Sequence, residues 1–199
     1  MRSIHDGARR RFVAGLISAG VSGLTLAGLR DSARAQTKLP LTPACRDDDE
    51  PTLEQTEGPY FTPSSPERTT LREADMAGTP IMLTGLVLTR SCRPVAGALV
   101  ELWHADDAGE YDNVGYRLRG HQFTGADGSY AFETIVPGLY PGRTRHFHLK
   151  FQAPDQPVLT TQFYFPGEPD NERDNIFNPT LLLRIDGDVA RYDTVLDLA

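Results

Sequence analysis

Positive charge is scarce in this chain. Lys and Arg number 20 against 27 Asp and Glu, a formal net charge of −7 at pH 7. Six of the 20 basic residues, but only two of the acidic ones, lie before residue 36. The following 164 residues therefore hold 14 basic and 25 acidic side chains, a net charge of −11. A surface of that sign repels phosphate, so nucleic acid is not expected as a partner. Cysteine is nearly absent. Cys45 and Cys92 are the only two, and neither has a His or a second Cys at metal-ligand spacing. That excludes a thiolate zinc site and leaves open whether the two form a disulfide. Also missing are a sustained helical period and an internal repeat, which excludes helical bundles and solenoids. The one long uncharged stretch, Phe12 to Leu29, is broken by Gly15, Ser18, Gly20, Ser22, Gly23 and Gly28. It is too weakly apolar to be expected as a stable membrane anchor.

What precedes and follows that stretch gives it another meaning. Arg9-Arg10-Arg11 stands before it, and Ala33-Arg34-Ala35 closes it as a small-x-small cleavage site. Residues 1–35 thus read as a twin-arginine export signal, with mature protein beginning near Gln36 and a periplasmic or secreted destination. Residues 36–75 are rich in Pro, Thr, Ser and acidic side chains without periodicity, and predict an extended arm laid over a domain. Within it, Asp47-Asp48-Asp49-Glu50 reads as a solvated run.

From residue 76 to 199, short apolar runs alternate with turn signals. Strands are predicted over 81–88, 98–103, 129–135, 144–152 and 160–165, with late apolar runs at 181–185 and 193–198. Short strands at this spacing predict an all-β fold, an antiparallel β-sandwich carrying the N-terminal arm.

The chemistry is concentrated in nine residues, Tyr140-Pro141-Gly142-Arg143-Thr144-Arg145-His146-Phe147-His148. Residues i and i+2 of a strand share a face, so His146 and His148 present two imidazoles side by side. Alone, that pattern fits a hydrogen-bonded pair as well as a metal site. Tyr140 just before the strand adds a phenol. Two phenolates with two imidazoles would form a hard, anionic donor set suited to Fe(III). Spacing by itself leaves Tyr111 an ordinary sandwich tyrosine.

Longer blocks add to this. Leu83-Thr84-Gly85-Leu86-Val87, then Val95, then Val100-Glu101-Leu102-Trp103 running on to Gly109-Glu110-Tyr111, resembles the signature of the intradiol ring-cleavage dioxygenases. The likeness continues through Gly120-His121-Gln122-Phe123-Thr124, residues 128–135, Pro137-Gly138-Leu139-Tyr140-Pro141, His146-Phe147-His148 and Thr161-Gln162-Phe163-Tyr164-Phe165. It covers roughly residues 52–178.

The resemblance implies Fe(III) held by Tyr111, Tyr140, His146 and His148, with catechols and O2 as substrates. Tyr140 also serves as a base, Arg143 as the active-site cation and Gln162 as a substrate neighbour. By the same resemblance Gly58, Pro59 and Tyr60 lie against the substrate, and the signature selects Tyr111 rather than Tyr116. Some positions depart from the pattern. Cys92 and Gly125 replace the usual residues, Gly142 replaces a bulky one, and only five residues separate Tyr140 from His146. The short connection and Gly142 predict an open pocket tolerant of varied catechols. Assembly is left open between a monomer and a homodimer. Two rival readings stay in view: an exported module binding aromatic or saccharide polymers, and a zinc or copper enzyme built on the two histidines.

Overall fold

The computed structural model describes residues 50–199. Residues 1–35, read above as an export signal, Cys45 and the first part of the arm lie outside them. Among the described residues nine strands form two sheets. One sheet has the order β4 (Ser129–Ile135), β1 (Pro80–Leu88), β8 (Val189–Arg191), β7 (Arg184–Asp186), and β9 (Thr194–Val195) also pairs with β1. The other has the order β3 (Arg119–Phe123), β2 (Leu99–Trp103), β5 (His146–Gln152), β6 (Leu159–Tyr164) and is antiparallel throughout. Alternation decides which side chains enter the space between the sheets. Ile81, Leu83 and Val87 of β1 and Phe132 of β4 meet Val100, Leu102, Phe147, Leu149, Phe151 and Phe163, all buried in one core.

The all-β antiparallel sandwich expected from the sequence is the fold found, with three amendments. β3 and β8 were not foreseen: Arg119-Gly120-His121-Gln122-Phe123 is polar and contains glycine, and it is a strand because it pairs residue for residue with β2. The C-terminal strands β8 and β9 run parallel to β1, an addition to the antiparallel frame. The apolar run 181–185 divides between a short 3-10 turn, Pro179–Leu181, and β7. Here Leu181 and Leu183 sit in the core while Ile185 is exposed.

The same alternation places chemistry on the outer face of the second sheet. Register aligns Arg119 with Trp103, Trp103 with His148 and His148 with Gln162, one row crossing all four strands. The neighbouring row is His121, Glu101, Lys150 and Thr160. An outer face of this polarity would ordinarily be wet. Here the arm covers it, so His146 and His148 are only 4% and 3% exposed. Backbone hydrogen bonds fix the arm: Gln55 N–H to Thr160 O (2.8 Å), Arg68 N–H to His121 O (2.9 Å) and Leu71 N–H to Glu133 O (2.8 Å). Lys150 pairs with Glu57, and its ammonium lies 3.5 Å from the Phe61 ring centre.

Cys92 is disulfide-bonded. Among the described residues no helix is long and apolar enough to cross a membrane.

Candidate functional site

Two loops at one end of the outer face carry the tyrosines, and two glycines let them touch. In the first loop the Asp106 carboxylate accepts the N–H groups of Ala108 and Glu110 at 3.0 Å each, which closes a turn just before Tyr111. Gly109 within it has φ +86°, and a Cβ there would overlap the Leu139 carbonyl. Gly138 of the second loop donates its N–H to Asp106 O at 2.6 Å, and a Cβ on it would lie 2.5 Å from Asp107 O. Only glycine permits that approach from both sides. The result brings the Tyr111 and Tyr140 rings to 6.1 Å, and Tyr111 lies 6.2 Å from the His148 ring.

The imidazoles meet through their Nε2 atoms, 3.0 Å apart. A carbonyl can only accept, so the 2.6 Å contact between His146 Nδ1 and Thr144 O puts the proton of His146 on Nδ1. Its Nε2 lone pair then faces His148. His148 Nε2 is the atom opposite it, and His148 Nδ1 is buried with no hydrogen-bond partner among the described residues. With a cation present, both Nε2 lone pairs would turn to it. The His148 ring is held instead by stacking on Trp103, 5.0 Å between centroids and 11° between planes. Burial pushes the His146 pKa down to about 4 and that of His148 well below the usual range, so both are neutral and able to ligate at neutral pH.

Burial pushes the Tyr111 phenol well up, opposed by the positive charges of Arg143 and then Arg119. Tyr60 is stacked on Tyr111 at 4.6 Å and 14°, and its hydroxyl lies 2.9 Å from that of Tyr140. The hydrogen bond to Tyr140 raises the Tyr60 pKa. Buried phenols of this kind ionise when a cation compensates them. Among the described residues no group of three or more His, Cys, Asp or Glu side chains is arranged to hold a metal ion. A metal here would therefore draw on phenol oxygens, and the two phenols with two neutral imidazoles suit a hard trivalent ion.

Arg143 donates from Nε to Asp174 Oδ2 at 2.8 Å and from Nη2 to Gln162 Oε1 at 2.7 Å. Gln162 is fully buried and donates to the Thr56 carbonyl of the arm at 2.9 Å. A Cβ on Gly58 would lie 3.3 Å from His148 Cε1, so the arm passes directly over that ring. Leu139, Tyr140, Gly142, Arg143, Asp170 and Asp174 share the walls of a cavity of about 320 Å3, and nothing lies within 4 Å of where a Gly142 Cβ would be. A larger depression of about 600 Å3, lined by Gly78, Asp107, Arg145 and Phe165, contains none of the candidate residues.

The residues singled out in the sequence thus occupy one neighbourhood. Tyr116 stands apart: its ring is partly exposed and its hydroxyl donates to Pro63 O at 3.1 Å. Sequence reading did not single out Asp174, Thr56, Thr144 or Arg119, nor the stacking role of Trp103. Asp174 lies in a polar loop that reads as solvent-facing, and Thr56 and Thr144 act through backbone carbonyls, to which no side-chain pattern points.

Comparison with known proteins places the chain among dioxygenases. The family model described as Dioxygenase matches residues 56–198. The hydroxyquinol 1,2-dioxygenase of Nocardioides simplex is 31% identical over 144 residues, 60% of this chain and 49% of that protein. The protocatechuate 3,4-dioxygenase beta chain of Burkholderia cepacia is 33% identical over 140 residues, 61% of this chain and 60% of that one. The chain spans about half the length of the curated relatives it matches. Among solved structures, the dioxygenase domain of a dioxygenase carbohydrate-binding protein fusion from Streptomyces sp. SirexAA-E is 55% identical with a TM-score of 0.73. That match covers 75% of this chain and all of the other. The 3-chlorocatechol 1,2-dioxygenase of Rhodococcus opacus 1CP is 27% identical with a TM-score of 0.68, covering 75% and 74%.

Proposed function

We propose, from the premise that this chain belongs to the intradiol ring-cleavage dioxygenase family, that it is an Fe(III)-dependent enzyme inserting both atoms of O2 into catechol-type aromatics. The product is a cis,cis-muconate-type diacid. The observation that carries the reading is the convergence of two neutral imidazole Nε2 atoms, 3.0 Å apart, beside the Tyr111 and Tyr140 rings. Tyr111, Tyr140, His146 and His148 would hold the ion. When bound, ferric iron supplies a Lewis acid that acidifies the catechol hydroxyls and opens the ring to O2.

The chain's own groups do the rest. Tyr140 is half-buried, lines the cavity and keeps its hydroxyl on that of Tyr60, so its oxygen is placed to take a substrate hydroxyl proton. Arg143, oriented by Asp174 and Gln162, presents a preorganised planar cation to the negative charge that develops on the ring. Gly58, Pro59 and Tyr60 form the arm-side wall, and the buried face beneath them keeps water from the histidines. Open space at Gly142 favours catechols with varied substituents. A non-catalytic module for polymers would have no need for the buried histidine pair under the arm, and that rival is set aside. The relatives' names point to hydroxyquinol, protocatechuate and chlorocatechols as a first panel.

The iron-loaded protein should consume one O2 per catechol and yield a muconate rather than a semialdehyde. O2 uptake without ring-opened product, or no uptake across the panel, would refute the reading. Export by the twin-arginine route belongs to the same proposal. It stands on residues 1–35 alone, and cell fractionation with N-terminal sequencing tests it: an unprocessed cytoplasmic protein would contradict it.

A further inference from the structure

Arg119 is 1% exposed and forms no ion pair among the described residues. A buried guanidinium without a carboxylate is costly unless its N–H groups are satisfied. Here carbonyl oxygens accept one N–H from each of its three nitrogens, and the Asp112 and Glu101 carboxylates favour the charge through space. Nε and Nη2 donate to Asp112 O at 3.0 and 2.7 Å, and Nη1 donates to Tyr60 O at 2.6 Å. An aliphatic side chain could fill the same place opposite Trp103 without the desolvation. It could not join two segments that lie far apart in sequence.

Both segments belong to the site. Asp112 directly follows Tyr111, and its carboxylate caps the N–H groups of Val114, Gly115 and Arg117 at 2.9, 2.8 and 2.9 Å, which stiffens the peptide that Arg119 grips. Tyr60 is the arm residue stacked on Tyr111 and hydrogen-bonded to Tyr140. The arm's next turn is fixed to the same strand, since Arg68 Nε donates to the carbonyl of Arg119 itself at 3.0 Å. Elsewhere in this stretch the arm is held by the Glu57–Lys150 pair and by Phe61 on Trp103 at 4.9 Å, both nearer the surface.

We propose that Arg119 is a positioning residue: its guanidinium couples the Tyr60 carbonyl to the Asp112 carbonyl and thereby holds the Tyr60 ring over Tyr111 and its hydroxyl on Tyr140. The inference rests on the reading of Tyr111 and Tyr140 as active-site residues. Its consequence is that the arm wall is set by a buried fork, so loosening Arg119 opens the substrate side while the imidazole pair keeps its place on β5.

The test uses the full chain with Arg119→Met and Arg119→Lys. Lysine keeps the charge and most of the bulk but cannot grip two carbonyls from a planar fork. Hydrogen exchange of the hydrogen-bonded arm amides on either side of Tyr60, Gly58 and Arg68, is read in the iron-free protein, and KM and kcat in the iron-loaded one. Both variants should exchange these arm amides about tenfold faster or more, with β1 amides unchanged. KM for catechol should rise about tenfold, kcat should also fall because Tyr60 places the Tyr140 hydroxyl, and iron content should be unaltered. A merely structural arginine would lower the melting temperature and leave KM of the folded protein unchanged, and that result overturns the proposal. If Arg119→Met does not fold, Arg119→Lys decides alone, and wild-type exchange and KM in it overturn the proposal. Because exchange is read without iron, faster exchange beside an inactive wild type would remove the dioxygenase reading and keep the tie. An active wild type with unchanged exchange in the variants would remove only the tie.

Discussion

Acid should unfold the iron-free protein partly through one histidine that has no place in the proposed chemistry. His104 is 1% exposed, and its Nδ1–H donates to Ala105 O at 2.7 Å while Nε2 accepts from the Thr134 hydroxyl at 2.6 Å. Burial is the main cause that brings its pKa from the ordinary 6.5 down to about 4. Between those values the unfolded chain binds a proton that the folded chain refuses. Stability contributed by the neutral ring is therefore full above about pH 6.5 and is lost as pH falls toward 4. For one group with these two pKa values, the loss between pH 7 and pH 5 is about 2 kcal/mol. Urea unfolding of the iron-free protein at the two pH values reads it, and the same pair of measurements on His104→Gln, which does not titrate, isolates the residue. The wild type should lose about 2 kcal/mol more than the variant on acidification. Equal losses would mean that His104 protonates in the folded state as easily as in water, and the burial argument would be wrong.

Other perturbations reach the loops and the cation. Gly138→Ala should push apart the loops that carry Tyr111 and Tyr140, destabilising the protein by about 1–3 kcal/mol and weakening iron retention in dialysis; wild-type retention would show the glycine contact to be incidental. Arg143→Ala should lower kcat by roughly 10²–10³ with iron still bound, and loss of iron instead would make Arg143 a structural residue. Trp103→Leu removes the ring that His148 stacks on, and should speed iron release to a chelator without a change of pH dependence. An unchanged release rate would show that the stacking does not hold His148.

Much of this was legible in the chain, for identifiable reasons. Strand β1 reads directly because its buried residues alternate with half-buried ones, as a sheet with one inner face demands. His146 and His148 read as a same-face pair because strand geometry allows nothing else. Period-2 reasoning could not show that this face would be buried, since the cover comes from an arm without periodicity, tied on by backbone hydrogen bonds. β3 escaped notice because its strand character comes from pairing with β2 and not from its own residues. No sequence pattern distinguishes Arg119 or Asp174 from a surface charge, and their roles depend on which carbonyls and guanidinium groups the fold brings within reach. Tyr111 needed the longer signature, since nothing local distinguishes it from Tyr116.

That last distinction gives the sharpest single measurement of the account. Phenolate bound to ferric iron absorbs visible light, so the iron-reconstituted protein should be red to purple. The visible band should be lost or strongly altered in Tyr111→Phe and preserved in Tyr116→Phe. A colourless protein that cannot be reconstituted with iron, or a band that follows Tyr116, would contradict the proposed site.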